Sequence, residues 1–136
     1  MDDKRSFTSP NQKNILPKPY TIIYTILIFI GFLLTVGRWY SVFNPDFVLF
    51  NAEIHSHISN LSLSMIFYLG LGYSWLQNGV KFRLICGLGV FVVLANVICE
   101  TLMGFMNTAD IMDAVYGAVG TAMAFVFLLF AMHKTV

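Results

Sequence analysis

Residues 20–37 read YTIIYTILIFIGFLLTVG without a charge, and comparable apolar stretches follow at 58–76, 84–105 and 111–132. Each approaches the roughly 20 residues that an α-helix needs to cross a hydrocarbon layer about 30 Å thick. Hydrophobic residues make up 57% of the 136-residue chain and charged residues 11%, against about 45–50% and about 25% in ordinary soluble domains. A soluble fold of this size has too little interior to bury that much apolar surface. Lipid must therefore solvate part of it, and a backbone in lipid must satisfy its own hydrogen bonds. The stretches lack the alternation of membrane strands, and four strands cannot close a barrel. The expectation is an all-α, polytopic membrane protein with four transmembrane helices and short loops.

The chain is long enough for one domain. Residues 1–18 are polar, with Pro10 and Pro17, and read as a mobile cytoplasmic tail ahead of a four-helix transmembrane domain over 19–136. The first apolar run is too long for a signal peptide's core and ends in TVGRWYS rather than a cleavage site, so an uncleaved first span is expected. Seven of the eight lysines and arginines lie in the tail, between the second and third runs, or after the fourth; Arg38 alone lies on the other side. By the positive-inside rule both termini are cytoplasmic, which predicts a multi-pass protein of the inner (cytoplasmic) membrane. No dense basic patch is present for nucleic acid. Cys86 and Cys99 fall in one apolar run, about 20 Å apart along a helix and beyond disulfide reach.

The acids gather at the opposite, non-cytoplasmic end: Asp46, Glu53, Glu100, Asp110 and Asp113. Between Arg38 and Ser56 the stretch FVLFNAEIHSH suits a short interfacial or re-entrant helix. Glu53 and His57, and Asn96 and Glu100, are four residues apart and share helical faces. Glu100 is the most informative: a carboxylate in an apolar helix costs several kcal/mol, roughly, unless paired, protonated or wetted. A proton-transfer or ligand role therefore stands beside a plain helix-end acid. Asp113 stands in a first helical turn, and Asp110 is a plausible N-cap. His55 and His57 suit a general base, phosphate binder or metal ligand. No compact metal-binding spelling surrounds them, and the pattern commits to no metal and no cofactor. The candidate catalytic set is Glu100, Asp113 and His57; the candidate substrate-binding set is Asp110, Asn96, Asn107 and Arg38. Arg38 also suits a snorkelling anchor.

Ala114, Ala118 and Ala122, with Gly117, Gly120, Thr121 and Ala124, form a small-residue stripe that favours close helix packing, against another span or a second subunit. With the acid near the end of the third run, the short polar turn and this stripe, residues 44 to 130 resemble the VanZ-like family of small bacterial membrane proteins. Glu100 matches that family's third-span glutamate, Asp113 its fourth-span aspartate, Gly120 its glycine, and His57, with His55 as the second choice, the histidine opening its second span. The chain departs from the pattern at Leu102 and Met103, where a Gln is usual, in the Arg-free turn GFMNTAD, and at Gly117, where Asn is usual. The resemblance implies a link to teicoplanin-type glycopeptide resistance without a defined reaction.

The leading expectation is a cell-envelope protein that binds or modifies an amphiphilic or lipid-linked substrate at the outer leaflet. A lipid-linked cell-wall precursor is the concrete candidate, beside membrane lipids as partners. In an enzymatic version Glu100 acts as acid or base, Asp113 orients it or holds a cation, and His57 moves a proton. No nucleophile is evident, and the sequence leaves enzyme status open. The alternative is a non-catalytic small subunit that stabilises a larger membrane complex through the Ala and Gly face. Ion conduction would need a homo-oligomer, and no filter is evident.

Overall fold

The structure, a computed structural model, describes residues 15–102 and 110–135. Those residues form four α-helices in chain order: α1 (Lys18–Tyr40), α2 (Ala52–Gln77), α3 (Phe82–Leu102) and α4 (Ile111–Met132). Three of them, α1, α3 and α4, are long and apolar enough to cross a membrane. Strands are absent among the described residues.

The helix starts follow from local chemistry. Pro17 precedes α1 and Pro19 stands in its first turn, where the missing N–H has no helical partner to lose. The Asn51 side chain caps α2 by accepting from Ile54 N at 2.8 Å, and Asp110 caps α4 by accepting from Met112 N at 2.9 Å. The Asp110 cap was legible from sequence. Other boundaries differ from expectation. Helix α1 begins at Lys18, and Leu16 before it is 5% exposed and belongs to the core, so the expected tail over 1–18 gives way by Leu16. FVLFNAEIHSH holds no separate helix: 47–51 is irregular, and α2 runs unbroken from Ala52. Glu53, His55 and His57 dilute the apolar pattern without interrupting the backbone ladder, so hydropathy placed that start six residues late. The end of the expected third run, with Asn107, lies outside the described residues.

Contacts fix an up-down-up-down bundle. Thr21 meets Tyr73 and Thr35 meets Ser62, so α1 and α2 are antiparallel. Asn96 bonds Ser64 while Gly89 abuts Tyr68, so α3 runs against α2. His57 meets Asp113 while Gly72 meets Leu128, so α2 and α4 are parallel. Helix α2 packs against all three others, most extensively α4. It is also the most polar of the four, and its Ser62 and Ser64 are buried inside the bundle. Helix α1 is peripheral: Gly31 is its one buried residue, and Ile22, Ile26, Phe29 and Leu33 point outward.

The seam between α2 and α4 corrects the expected stripe. Ala114, Gly117, Thr121, Ala124, Leu128 and Ala131 are buried, whereas Ala122 is exposed. An interval of four overshoots the 3.6-residue turn and drifts around the helix, while alternating steps of three and four stay on one face. That face meets α2 of the same chain, and the two backbones approach closely where Gly120 abuts the carbonyl of Leu61. Between α2 and α3 the fully buried Tyr68 donates its hydroxyl to Ile85 O at 2.9 Å. Gly89 leaves it room: a Cβ there would lie 2.8 Å from that hydroxyl.

Candidate functional site

The antiparallel order brings the C-termini of α1 and α3 and the N-termini of α2 and α4 to one end of the bundle. Lys18, Lys81, Arg83 and Lys134 lie at the other end. Two polar clusters occupy the first end, and α2 separates them, because His55 and His57 are two residues apart and leave the helix on nearly opposite sides.

The inner cluster joins α2 to α4. His57, 8% exposed, donates Nδ1–H to Asp113 Oδ1 at 2.7 Å. A carboxylate accepts only, so this bond fixes the tautomer of a neutral imidazole with its lone pair on Nε2. That atom faces Asp110 Oδ2 at 3.8 Å, too far for a hydrogen bond. Nε2 makes no hydrogen bond among the described residues. The side chain of Asp113 is 17% exposed and that of Asp110 45%, which grades the cluster from inside to rim. Tyr116 flanks the imidazole with ring centroids 5.2 Å apart. One ligand atom from each of His57, Asp110 and Asp113 lies within 4.8 Å of the others. Chemically the group offers an imidazole oriented by a partly buried carboxylate, able to accept a proton or coordinate a cation at Nε2.

The second cluster ties the segment after α1 onto α2. His55 Nδ1 accepts from Leu49 N–H at 3.1 Å, so its proton is on Nε2, which donates to Ser41 Oγ at 3.0 Å. Ser41 Oγ also accepts from Arg38 Nη1 at 3.0 Å and donates to Arg38 O at 2.6 Å. Arg38 Nη1 and His55 Nε2 lie 3.5 Å apart, but both are donors and make no bond with each other. Just before the α2 cap, Phe50 has φ 63°, a left-handed conformation that a bulky side chain disfavours.

The candidate residues therefore divide. His57, Asp113 and Asp110 come together. Arg38 is engaged on the other side of α2, and Glu53 is an exposed first-turn acid. Asn96 lies deeper, donating Nδ2 to Ser64 Oγ at 3.0 Å and to Val92 O at 2.9 Å. Glu100 stands one turn beyond Asn96 toward the site end, is half-buried, and makes no side-chain hydrogen bond or ion pair among the described residues. Sequence reasoning missed Tyr116, three residues after Asp113 and so on the same face. It also missed Ser41, for which the pattern held no signal. Below Glu100, a groove of about 400 Å³ between α2 and α3 is lined by Leu63, Phe67, Phe91, Ala95 and Cys99, with Ser64 and Asn96 at its floor. Comparison with known proteins found no family model, no curated protein and no solved structure that matches the chain.

Proposed function

We propose that this chain crosses the cytoplasmic membrane four times, with both termini cytoplasmic, and binds an amphiphilic, lipid-linked substrate at the outer leaflet. The observation that carries the reading is the His57–Asp113 bond: a buried histidine held by a partly buried carboxylate in an apolar bundle, with Nε2 facing Asp110. A buried polar group is retained at a cost unless it is partnered, and an intramembrane ionisable group is a functional site by default. The groove beside α3 offers an acyl or prenyl chain an apolar wall with two polar contacts, Ser64 and Asn96.

The fourth crossing is α2. Its Ser62, Ser64 and His57 face the other helices rather than lipid, which makes a polar helix tolerable in the bilayer. The orientation rests on the basic end of the bundle. The VanZ-like resemblance fits the same picture at one of its departures. Where that family carries Asn, this chain has Gly117, and the Asn96 amide fills the space from α3, 2.7 Å from where a Gly117 Cβ would stand. A role in glycopeptide resistance follows from the resemblance alone. The partner-subunit alternative loses its main support, because the small-residue seam is covered by α2 within the same chain.

The test is binding of a polyprenyl pyrophosphate to the full chain in phosphatidylcholine nanodiscs. Saturable one-to-one binding, weakened at least tenfold by Asp113→Asn with helical circular dichroism unchanged, supports the reading. Non-saturable partitioning that is identical for parent and variant refutes it. Topology is checked separately with single cysteines at Asn44 and Asn78 in a background lacking Cys86 and Cys99. An impermeant maleimide should reach the first from outside and the second only after lysis.

A further inference from the structure

An anionic headgroup approaching this end of the bundle meets Asp110 and Asp113, and the nearby Arg38 is turned to Ser41 on the other side of α2. Two carboxylates repel a pyrophosphate, so the reading above requires a positive charge between protein and ligand. The distances indicate what that charge is. In the neutral imidazole that donates Nδ1–H to Asp113, Nε2 carries the lone pair, and it faces a second acceptor, Asp110 Oδ2, at 3.8 Å. A proton cannot bridge that gap, because a hydrogen bond between nitrogen and oxygen spans about 2.7–3.2 Å. A divalent metal can: bonds of about 2.0–2.1 Å to imidazole nitrogen and about 2.0–2.2 Å to carboxylate oxygen span up to roughly 4.2 Å across the ion.

We infer that His57 Nε2 and Asp110 Oδ2 bind a divalent transition-metal ion, of the Zn²⁺ or Mn²⁺ type, at the mouth of the bundle. Asp113 orients the imidazole from behind, as a carboxylate commonly does for a metal-bound histidine. The imidazole nitrogen favours Zn²⁺, and more weakly Mn²⁺, over Ca²⁺ or Mg²⁺, which prefer all-oxygen sites. The positive end of α4 opposes a cation by about half an elementary charge, but the two carboxylates outweigh it. The His57 side chain is buried to nine-tenths, and its Nε2 makes no hydrogen bond among the described residues, which distinguishes this group from a surface cluster of acids. With two protein ligands the ion keeps open positions, which phosphate oxygens of a lipid-linked pyrophosphate would fill. The inference rests on the proposed substrate only for that last step; the ion itself needs the three side chains alone.

The experiment uses the full chain, stripped with EDTA and reconstituted in phosphatidylcholine nanodiscs, then titrated calorimetrically with Zn²⁺ and Mn²⁺. Metal retained after dialysis is counted by mass spectrometry. One ion per chain is expected. Asp110→Asn should weaken binding at least tenfold while leaving apo-protein melting unchanged, because Asn caps a helix as well as Asp does. Asp113→Asn should weaken it about 10–100-fold through the loss of orientation, and Glu53→Gln should bind like the parent. No retained ion, an Asp110→Asn affinity equal to the parent's, or an equal loss with Glu53→Gln would overturn the inference. Repeating the polyprenyl pyrophosphate titration in EDTA separates the two readings. Saturable lipid binding without metal uptake refutes the metal alone, and metal uptake without saturable lipid binding supports the metal while refuting the substrate.

Discussion

Replacing Gly120 by Ala adds one methyl group where α4 has no room for it. The new Cβ would overlap the carbonyl oxygen of Leu61 and lie 2.9 Å from its carbonyl carbon. Carbon atoms in contact prefer about 3.5–4.0 Å, so that carbon alone requires the helices to part by at least about 0.6 Å, and the oxygen requires more. The obstacle is backbone, so no side-chain rotation relieves it. A gap of 0.5–1 Å forfeits about a quarter to a half of each dispersion contact across it. In lipid such contacts are the main attraction between helices. The seam from Ala114 through Thr121, Ala124 and Leu128 to Ala131 would loosen along its length, and overpacking of this kind costs about 1–3 kcal/mol, occasionally more. Gly70 and Gly87 are internal controls. A Cβ at either meets nothing within 4 Å, so Ala there should be neutral or stabilising by up to about 1 kcal/mol through helix propensity. The assay is thermal unfolding of the purified protein in one detergent, followed by circular dichroism, for all three variants. Equal melting temperatures for Gly120→Ala and Gly70→Ala would falsify the claim that α2 and α4 meet backbone to backbone at this point.

Other expectations concern single polar contacts. Tyr68→Phe removes the hydroxyl that reaches Ile85 O and should cost about 1 kcal/mol; Gly89→Ala should cost as much or more by pushing the same hydroxyl aside, and the double variant should be less than additive. A sum of the two single effects in unfolding measurements would argue against their sharing one site. Asn96→Leu removes the amide that bonds Ser64 and abuts Gly117. It should lower stability by about 0.6–2 kcal/mol, since a branched side chain cannot lie flat against that glycine; unchanged melting would count against the packing described. Phe50→Asn should stabilise by about 0.5–1 kcal/mol, because Asn accepts the left-handed backbone conformation found there. A lower melting temperature would show that the exposed phenyl ring contributes more than the strain it causes.

The amino-acid sequence alone determined that this chain is helical and belongs in lipid. Uncharged apolar runs of this length leave a backbone one way to bond itself, and that bonding is local, closing within four residues. The α4 cap was legible for the same reason: Asp110 serves an amide two residues away. The start of α2 was less legible, because hydropathy tracks the preference for lipid rather than the continuity of the helix. Glu53 and His57 belong to the helix without belonging to its apolar part. The candidate site was half legible. Residue types and their common end of the bundle could be read from charge placement and helix count. The partnership of His57 with Asp113, across 56 residues, could not. It depends on which face α4 turns to α2, and the interval-four alanines pointed to a drifting face instead of the straight one. Tertiary structure decided that register through Gly120, whose missing side chain lets the two backbones meet beside Leu61 and so aligns Asp113 with the imidazole one helix away. Helices form by contacts within a turn, whereas their mutual rotation is set by close packing between surfaces far apart in the chain, and neither composition nor periodicity encodes that.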